Sequence, residues 1–285
     1  MRELHILNLG GGIQSTTLYL MFLTQELTEL TQELDCAIFA DTSAEAEPVN
    51  RHLEWLTSVC GPCNLFRSRG DLSDDLNDGL DPGFNLFDSV PVHTTDVPGC
   101  PKGMMCGQCA RDYKLSVIIQ TIRELLRLGP RQPFPSRKVA VNLYLAVSYD
   151  QQSRAESIQR RWAEFRWVKP VFPLIERKMT QRHCRRWLRE YGKVPHPVPR
   201  SGCVFCPYRS NKDWRWLRKH DPAGFQRAVE IDGALRGESL IPGQYNRFLH
   251  RSCLPLAEAD LDAPESREEH AVLGFNRECE GMCGL

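Results

Sequence analysis

The chain has 285 residues, and its 36 basic (Lys and Arg) and 36 acidic side chains give a formal net charge of zero. That balance excludes a uniformly basic protein that coats nucleic acid and an acidic solvating tail. A composition of 41% hydrophobic and 25% charged residues is ordinary for a globular protein, and the length suits one large domain or a domain with an appendage.

The charge is distributed unevenly along the chain. Residues 1–100 carry 4 basic and 16 acidic side chains, residues 101–220 carry 26 and 8, and residues 221–285 carry 6 and 12. The middle block therefore predicts a cationic surface that attracts phosphates, nucleotides or a polynucleotide. The alternative is internal neutralisation, in which the acidic N-terminal part packs on the basic middle.

The apolar segments are short. None approaches the roughly 20 residues of a membrane span, and the N-terminus does not resemble a signal peptide. We therefore expect a cytoplasmic protein with no membrane partner. In that compartment cysteines stay reduced, and they act more often as metal ligands or catalytic groups than as disulfides.

The pattern of apolar residues predicts strands and helices in alternation. In chain order, we expect a strand at 4–9, a helix from about 14, a strand at 36–40, a helix at 47–59 and a strand at 63–67. An irregular segment follows at 71–109, then a helix at 111–128, a strand at 139–147 and short helices at 180–191, 210–219 and 222–235.

This alternation predicts an α/β fold, with a parallel sheet that carries helices on both faces. We expect a nucleotide-binding α/β domain over residues 1–150. Residues 151–285 are expected to form a mostly helical, basic extension that carries metal-ligand cysteines and a C-terminal tail.

A run of three glycines lies between the first strand and the first helix. Glycines let the backbone approach a ligand, and the helix N-terminus adds unpaired N–H groups that suit a phosphate. The alternative is a tight turn with hydroxyl caps. The spacing matches neither the P-loop nor the dinucleotide-binding motif. The residues expected to bind the nucleotide here are Gly10, Gly11, Gly12, Gln14, Ser15 and Thr16.

Polar residues also follow two later strands. Asp41 and Thr42 end the second strand, where a carboxylate can accept hydrogen bonds from a ribose or an adenine, or can cap the next helix. Asp150 and Arg154 follow the strand at 139–147. By position alone, they can belong to a surface turn.

The glycine loop resembles the S-G-G-x-D-S loop of the adenine-nucleotide alpha hydrolases, or PP-loop ATP pyrophosphatases. Gly11, Gly12 and Ser15 match that loop, whereas Gly10 replaces its first Ser and Gln14 replaces the Asp of many members. Segments 39–48, 108–114, 146–154, 201–207 and 278–284 resemble the branch that is similar to phosphoadenosine phosphosulfate reductases.

The resemblance implies a Rossmann-like fold of the HUP type and ATP with Mg²⁺ as cofactor. It also implies that Arg111, Lys114 and Arg154 stabilise developing phosphate charge and that Asp150 holds Mg²⁺. These four residues are the expected catalytic groups.

Eight of the twelve cysteines form close pairs, and two thiolates at such spacing in a turn can bind one metal centre. The pairs are Cys60/Cys63, Cys106/Cys109, Cys203/Cys206 and Cys279/Cys283. The resemblance implies a 4Fe-4S iron–sulfur cluster on Cys109, Cys203, Cys206 and Cys283, with Cys279 as the alternate to Cys283. Zn²⁺ on the same ligands is the alternative.

The remaining cysteines leave further possibilities open. Cys60, Cys63, Cys100 and Cys106 can form a separate zinc site that competes for Cys109. Lone cysteines often behave as small hydrophobic residues, and that interpretation applies to Cys36, Cys184 and Cys253.

Three functions follow from these patterns. The first is an ATP-dependent, pyrophosphate-releasing sulfurtransferase. It adenylates and then thiolates a phosphate-rich substrate such as tRNA or DNA, with a separate sulfur donor. The second is a sulfonucleotide reductase, in which a tail cysteine is the nucleophile and a thiol reductant resolves it. The third is a nucleotide-binding module with a structural metal.

Overall fold

The computed structural model of the protein describes residues 2–27, 33–59, 64–69, 90–95, 103–105, 109–129, 131–135, 138–236 and 247–264. In chain order the strands are β1 (Arg2–Asn8), β2 (Cys36–Asp41), β3 (Asn64–Arg69), β4 (Val92–Thr94), β5 (Gly103–Met105), β6 (Val139–Leu145), β7 (Val168–Val171) and β8 (Arg247–Phe248).

The α-helices occur mainly in the second half of the described chain. They are α1 (Ile13–Leu23), α2 (Glu47–Ser58), α3 (Ser116–Leu125), α4 (Gln152–Trp162), α5 (Pro173–Glu176), α6 (Gln181–Tyr191), α7 (Asn211–His220) and α8 (Pro222–Arg236). A π-helical turn, Arg111–Leu115, precedes α3, and a 3-10 turn, Tyr149–Gln151, precedes α4.

The central sheet is five-stranded and wholly parallel, in the spatial order β3-β2-β1-β6-β7. The chain starts in the middle at β1, proceeds to β3 on one side and returns to β6 on the other side. The strand order therefore reverses between β1 and β6, where Asn8 lies beside Leu145. In α/β sheets the carboxyl ends of the strands at such a reversal form the usual ligand crevice.

Successive side chains of each strand point to opposite sides of this sheet, and helices cover both sides, so both faces are buried. Leu7 and Phe39 pack with α1 and α2 on one face, whereas Ile6 and Ile38 pack with α3 and α4 on the other. Every residue of β2 is buried. The expected α/β, Rossmann-like fold with helices on both faces is therefore confirmed.

The sheet extends beyond residue 150, where the sequence pattern placed a domain boundary. Helix α4 and strand β7 both lie after that residue, and β7 pairs with β6 at one edge of the sheet. One of the four residues of β7 is Pro170. A proline in the sequence argues against a strand, although sheets accept proline in an edge strand such as β7.

The sequence predicts an irregular segment at 71–109, but the structure shows two short strands within it. Strands β4 and β5 lie within it and form a small antiparallel sheet with β8. Strands of two or three residues are too short to show the alternation by which a strand is recognised. No helix in the described ranges is long and apolar enough to cross a membrane.

Candidate functional site

The glycine loop connects β1 to α1 at the point where the strand order reverses. Gly11 has a φ of +74°, a conformation that favours glycine. The Ser15 hydroxyl accepts a hydrogen bond from the Gly12 amide at 3.0 Å and donates to the Gly12 carbonyl at 3.2 Å. Ser15 therefore stabilises the turn and does not extend its hydroxyl towards a ligand.

The backbone of this loop retains donors for a ligand. In the described part of the chain, no acceptor receives a hydrogen bond from the Gly10 or Gly11 amide. Both residues are buried, and they precede the N-terminus of α1, which carries a partial positive charge. Buried amides without acceptors are costly, so an anion that accepted from them would be stabilised.

The Thr16 hydroxyl is directed towards α2. Its Oγ1 lies 2.8 Å from His52 Nε2, and His52 Nδ1 lies 3.0 Å from His196 Nε2. Burial, reinforced by the neighbouring His196, lowers the pKa of His52 to about 3. Burial and the charge of Arg51 lower the pKa of His196 as well. His52 is therefore neutral at neutral pH and positions the first turn of α1.

Gln14 connects the glycine loop to the end of β6. Its Nε2 donates to Ser148 Oγ at 2.5 Å and to Gln151 Oε1 at 3.2 Å. Arg154, which is buried on α4, donates to the same Gln151 oxygen at 3.5 Å. Gln14 Oε1 is buried and has no partner among the residues described. The neutral amide thus takes part in a polar network where many members of the resembled family carry an acid.

The two expected carboxylates have protein partners. Asp41 Oδ2 accepts from Arg67 Nε at 2.5 Å, and its Oδ1 accepts from the Ser43 amide at 2.8 Å. Asp150 is exposed and accepts from the Gln181 amide at the start of α6, at 3.2 Å. The structure therefore places Asp150 at a helix terminus and Asp41 in an ion pair.

Three expected metal ligands come together in one small pocket, which we call the cysteine pocket. Cys109, Cys203 and Cys206 line it, with Thr42 and Lys114 beside them, around a cavity of about 20 Å³. Thr42 Oγ1 lies 3.2 Å from Cys203 Sγ. Thr42, expected at the nucleotide, is thus part of the cysteine pocket.

The backbone of residues 201–207 is held against the end of β2. The Gly202 amide, at a φ of +144°, donates to Glu45 Oε2 at 2.9 Å, and the Val204 amide donates to the Ala44 carbonyl at 2.7 Å. Lys114 Nζ lies 3.9 Å from Glu45 Oε1. Glu45 therefore joins the segment to the turn that carries Cys109.

A buried cation lies behind the same segment. Arg209 Nη2 donates to the carbonyls of Gly202 and Cys203, both at 2.9 Å. Burial, together with the charge of Arg200, lowers the pKa of Arg209 to about 10, whereas Cys206 raises it. Arg209 is still protonated at neutral pH. It therefore places a buried positive charge behind the backbone that carries Cys203 and Cys206.

The cysteine pocket and the glycine loop meet at Ser201. Its hydroxyl is buried, has no partner in the described ranges, and lies 3.8 Å from the point where a Cβ on Gly11 would be. One short segment thus contacts the glycine loop at Ser201 and supplies two cysteines to the pocket.

The structure also shows where the remaining expected residues lie. Arg111 is exposed and lines a second pocket beside the cysteine pocket. Cys36 and Cys184 are buried in the two hydrophobic clusters, as expected for small apolar residues. Outside the described residues lie Cys60, Cys63, Cys100, Cys106, Cys279 and Cys283. Among the described residues, no three His, Cys, Asp or Glu side chains are arranged to hold a metal ion.

Sequence reasoning did not identify several residues that build the site. They are Glu45, His52, Gln151, Ser201 and Arg209, all polar. Glu45, Gln151 and Ser201 lie in segments that carry the family resemblance, but no role was expected for any of them. All except Gln151 are buried, and burial of an individual polar residue is not visible in a sequence.

No model of a known protein family matches the chain, and no curated protein matches it significantly. The class that the structure defines is therefore an α/β protein with a Rossmann-like sheet. Its function is argued from the site alone.

Proposed function

We propose that this protein is an ATP-dependent sulfurtransferase that adenylates an oxygen of a nucleic acid or nucleotide and replaces that oxygen with sulfur. The observation that carries the proposal is the segment 201–207, which joins two sites. At Ser201 it contacts a glycine loop with amides that lack acceptors, and at Cys203 and Cys206 it lines the cysteine pocket.

The first step takes place at the glycine loop. The Gly10 and Gly11 amides and the N-terminus of α1 bind the phosphates of ATP, with Mg²⁺ as its counterion. A substrate oxygen attacks the alpha phosphorus, the bond to the beta-phosphate oxygen breaks, and pyrophosphate leaves. Gln14 and Arg154 lie at the adjacent end of β6, where Arg154 offsets charge that develops on the phosphate.

The second step replaces the activated oxygen. A sulfur nucleophile from a separate donor attacks the carbon or phosphorus that bears the adenylated oxygen, the bond from that atom to the oxygen breaks, and AMP leaves with the oxygen. The proximity of the two sites through residues 201–207 favours this sequence, because the adenylated atom has a short distance to travel.

The three cysteines of the pocket supply the type of donor that an iron–sulfur group requires. Cys109, Cys203 and Cys206 would hold a 4Fe-4S cluster, and the tail cysteines Cys283 and Cys279 are the candidates for a fourth ligand. With three cysteine ligands such a cluster would keep an iron free to bind sulfur, whereas a fourth cysteine would occupy that iron. Lys114 beside the pocket and Arg209 behind it offset the negative charge of the thiolates.

The experiment is anaerobic purification with quantitation of iron and sulfide, followed by pyrophosphate release from ATP with tRNA, DNA and small acceptors compared. Cys206→Ser is expected to lose iron, whereas the matched variant Cys253→Ser, outside the pocket, is expected to retain it. Zinc in stoichiometric amount without iron would refute the cluster. Robust sulfite release from an adenylyl sulfate would instead establish a sulfonucleotide reductase.

A further inference from the structure

A second pocket lies beside the cysteine pocket, between the π-helical turn and α4. We call it the basic pocket, because Arg111, Arg160 and Arg161 line it. Glu164 and Phe165 complete its wall, and its volume is about 460 Å³. The site that binds ATP in the proposed function uses none of these side chains, although the family resemblance implies a catalytic role for Arg111.

Among the described residues, Glu164 is the one carboxylate in the lining of this pocket, against three arginines. In the described ranges none of its three arginines forms an ion pair, and Arg160 donates only to Ser157 Oγ, at 3.3 Å. Burial and the charge of Arg111 lower the pKa of Arg161, whereas Glu164 raises it. The guanidinium groups therefore repel each other, and one carboxylate does not offset three cations. An anionic ligand would relieve that repulsion.

One short segment of the chain, residues 109–115, contributes to both pockets. Cys109 and Lys114 line the cysteine pocket, whereas Arg111 and Leu115 line the basic pocket. The last three of these residues belong to the π-helical turn Arg111–Leu115. Such turns are rare and are frequent at functional sites. A ligand in the basic pocket would thus contact the same turn that contributes Lys114 to the cysteine pocket.

Two chemical features define the ligand. Guanidinium groups form paired hydrogen bonds with phosphate oxygens, and aromatic rings stack with nucleotide bases. Phe165 is partly exposed, so its ring is accessible at the edge of the pocket. A phosphate with an attached nucleotide matches both features.

We propose that the basic pocket binds a backbone phosphate of a polynucleotide substrate and so presents the neighbouring nucleotide to the cysteine pocket. The inference rests on the proposed function for the identity of the reaction. The phosphate contact itself follows from the arginines, and a free mononucleotide is the other source of the same chemistry.

The test measures binding of a fluorescent single-stranded oligonucleotide without ATP, by anisotropy at several salt concentrations. Arg160→Ala and Arg161→Ala are each expected to weaken binding about tenfold at about 0.1 M salt and to lower the salt slope by about 1. The control is Arg227→Ala, which removes an arginine paired with Glu230 on α8 and is expected to leave both quantities unchanged. Thermal unfolding of each variant checks that the fold is intact.

A parallel titration uses AMP and inorganic phosphate as probes. Unchanged oligonucleotide affinity and salt slope in both pocket variants overturn the inference. Loss of AMP or phosphate binding with intact oligonucleotide binding also overturns it and assigns the pocket to a free nucleotide. The outcome is separate from pyrophosphate release. Pocket-dependent binding without ATP cleavage would refute only the proposed function, whereas thiolation without pocket-dependent binding would refute only this inference.

Discussion

Replacing Glu45 with alanine is expected to destabilise the segment that joins the two sites. The Glu45 side chain is fully buried, its Oε2 accepts the Gly202 amide at 2.9 Å, and its Oε1 lies 3.9 Å from Lys114 Nζ. The substitution removes an acceptor for a buried amide and a negative charge that lies near the two buried cations, Lys114 and Arg209.

The expected cost is large. Loss of one partner of a buried ion pair costs about 3–5 kcal/mol, and a buried donor without an acceptor costs about 1–3 kcal/mol. Because the Lys114–Glu45 separation is long for an ion pair, the lower end applies. We expect a loss of about 3 kcal/mol in the free energy of unfolding, which for a chain of this size lowers the Tm by about 5 °C.

The assay is thermal unfolding followed by circular dichroism, with Glu45→Gln beside Glu45→Ala. Glutamine retains an acceptor for the Gly202 amide but lacks the charge, so the difference between the variants isolates the hydrogen bond. Glu47→Ala is the surface control, because Glu47 is exposed and its pair with Arg51 is exposed too. It is expected to cost under about 0.5 kcal/mol. A Tm for Glu45→Ala within about 2 °C of the parent protein would refute the reasoning, because a loss of about 3 kcal/mol lowers the Tm by more than that.

Three further outcomes are expected. The pKa of His52 is 6.5 in the unfolded chain and about 3 in the folded protein, so the folded state is fully stable above about pH 6.5 and loses stability as the pH falls towards 3. Urea titrations should show that the free energy of unfolding drops by about 2 kcal/mol between pH 7 and 5. The drop should be smaller in His52→Gln. Gly11→Ala should lower the free energy of unfolding by about 1–2 kcal/mol in chemical denaturation, because Gly11 has a positive φ. Gly129→Ala should not destabilise the protein, because the added Cβ would lie in open space. Equal effects of the two substitutions would contradict the argument. Ser201→Ala should leave the Tm unchanged but weaken ATP binding about tenfold by calorimetry; unaltered affinity would remove Ser201 from the nucleotide site.

The order of strands and helices in the first half of the fold is predictable from sequence. Strands buried on both faces appear as short apolar runs, as in β1 and β2, and helices appear as apolar residues at helical spacing, as in α3. These patterns do not predict strand β7, because it is short and contains Pro170. They do not predict β4 and β5 either, because three residues are too few to show an alternation of apolar and polar side chains.

The candidate site is predictable only where residue type limits the role. Three glycines after a strand and paired cysteines have few uses, so the loop at residues 10–12 and the pair Cys203 and Cys206 stand out. Glu45 and Arg209 do not, because their roles depend on contacts between distant parts of the chain. The sequence places Gln14 at the nucleotide, whereas in the structure its side-chain amide donates to Ser148 and Gln151 at the end of β6.

The contact between Glu45 and Gly202 joins residues 157 positions apart in the chain. The five strands of the central sheet all precede residue 172, so the sheet can form before residues 201–209 are available. A contact between such distant residues pays a loop-closure entropy that a local contact does not. During synthesis the cysteine pocket cannot be completed until the chain extends past Tyr208, after every strand of the central sheet has been made. A metal centre bound by Cys109, Cys203 and Cys206 would accordingly enter the protein after those strands exist.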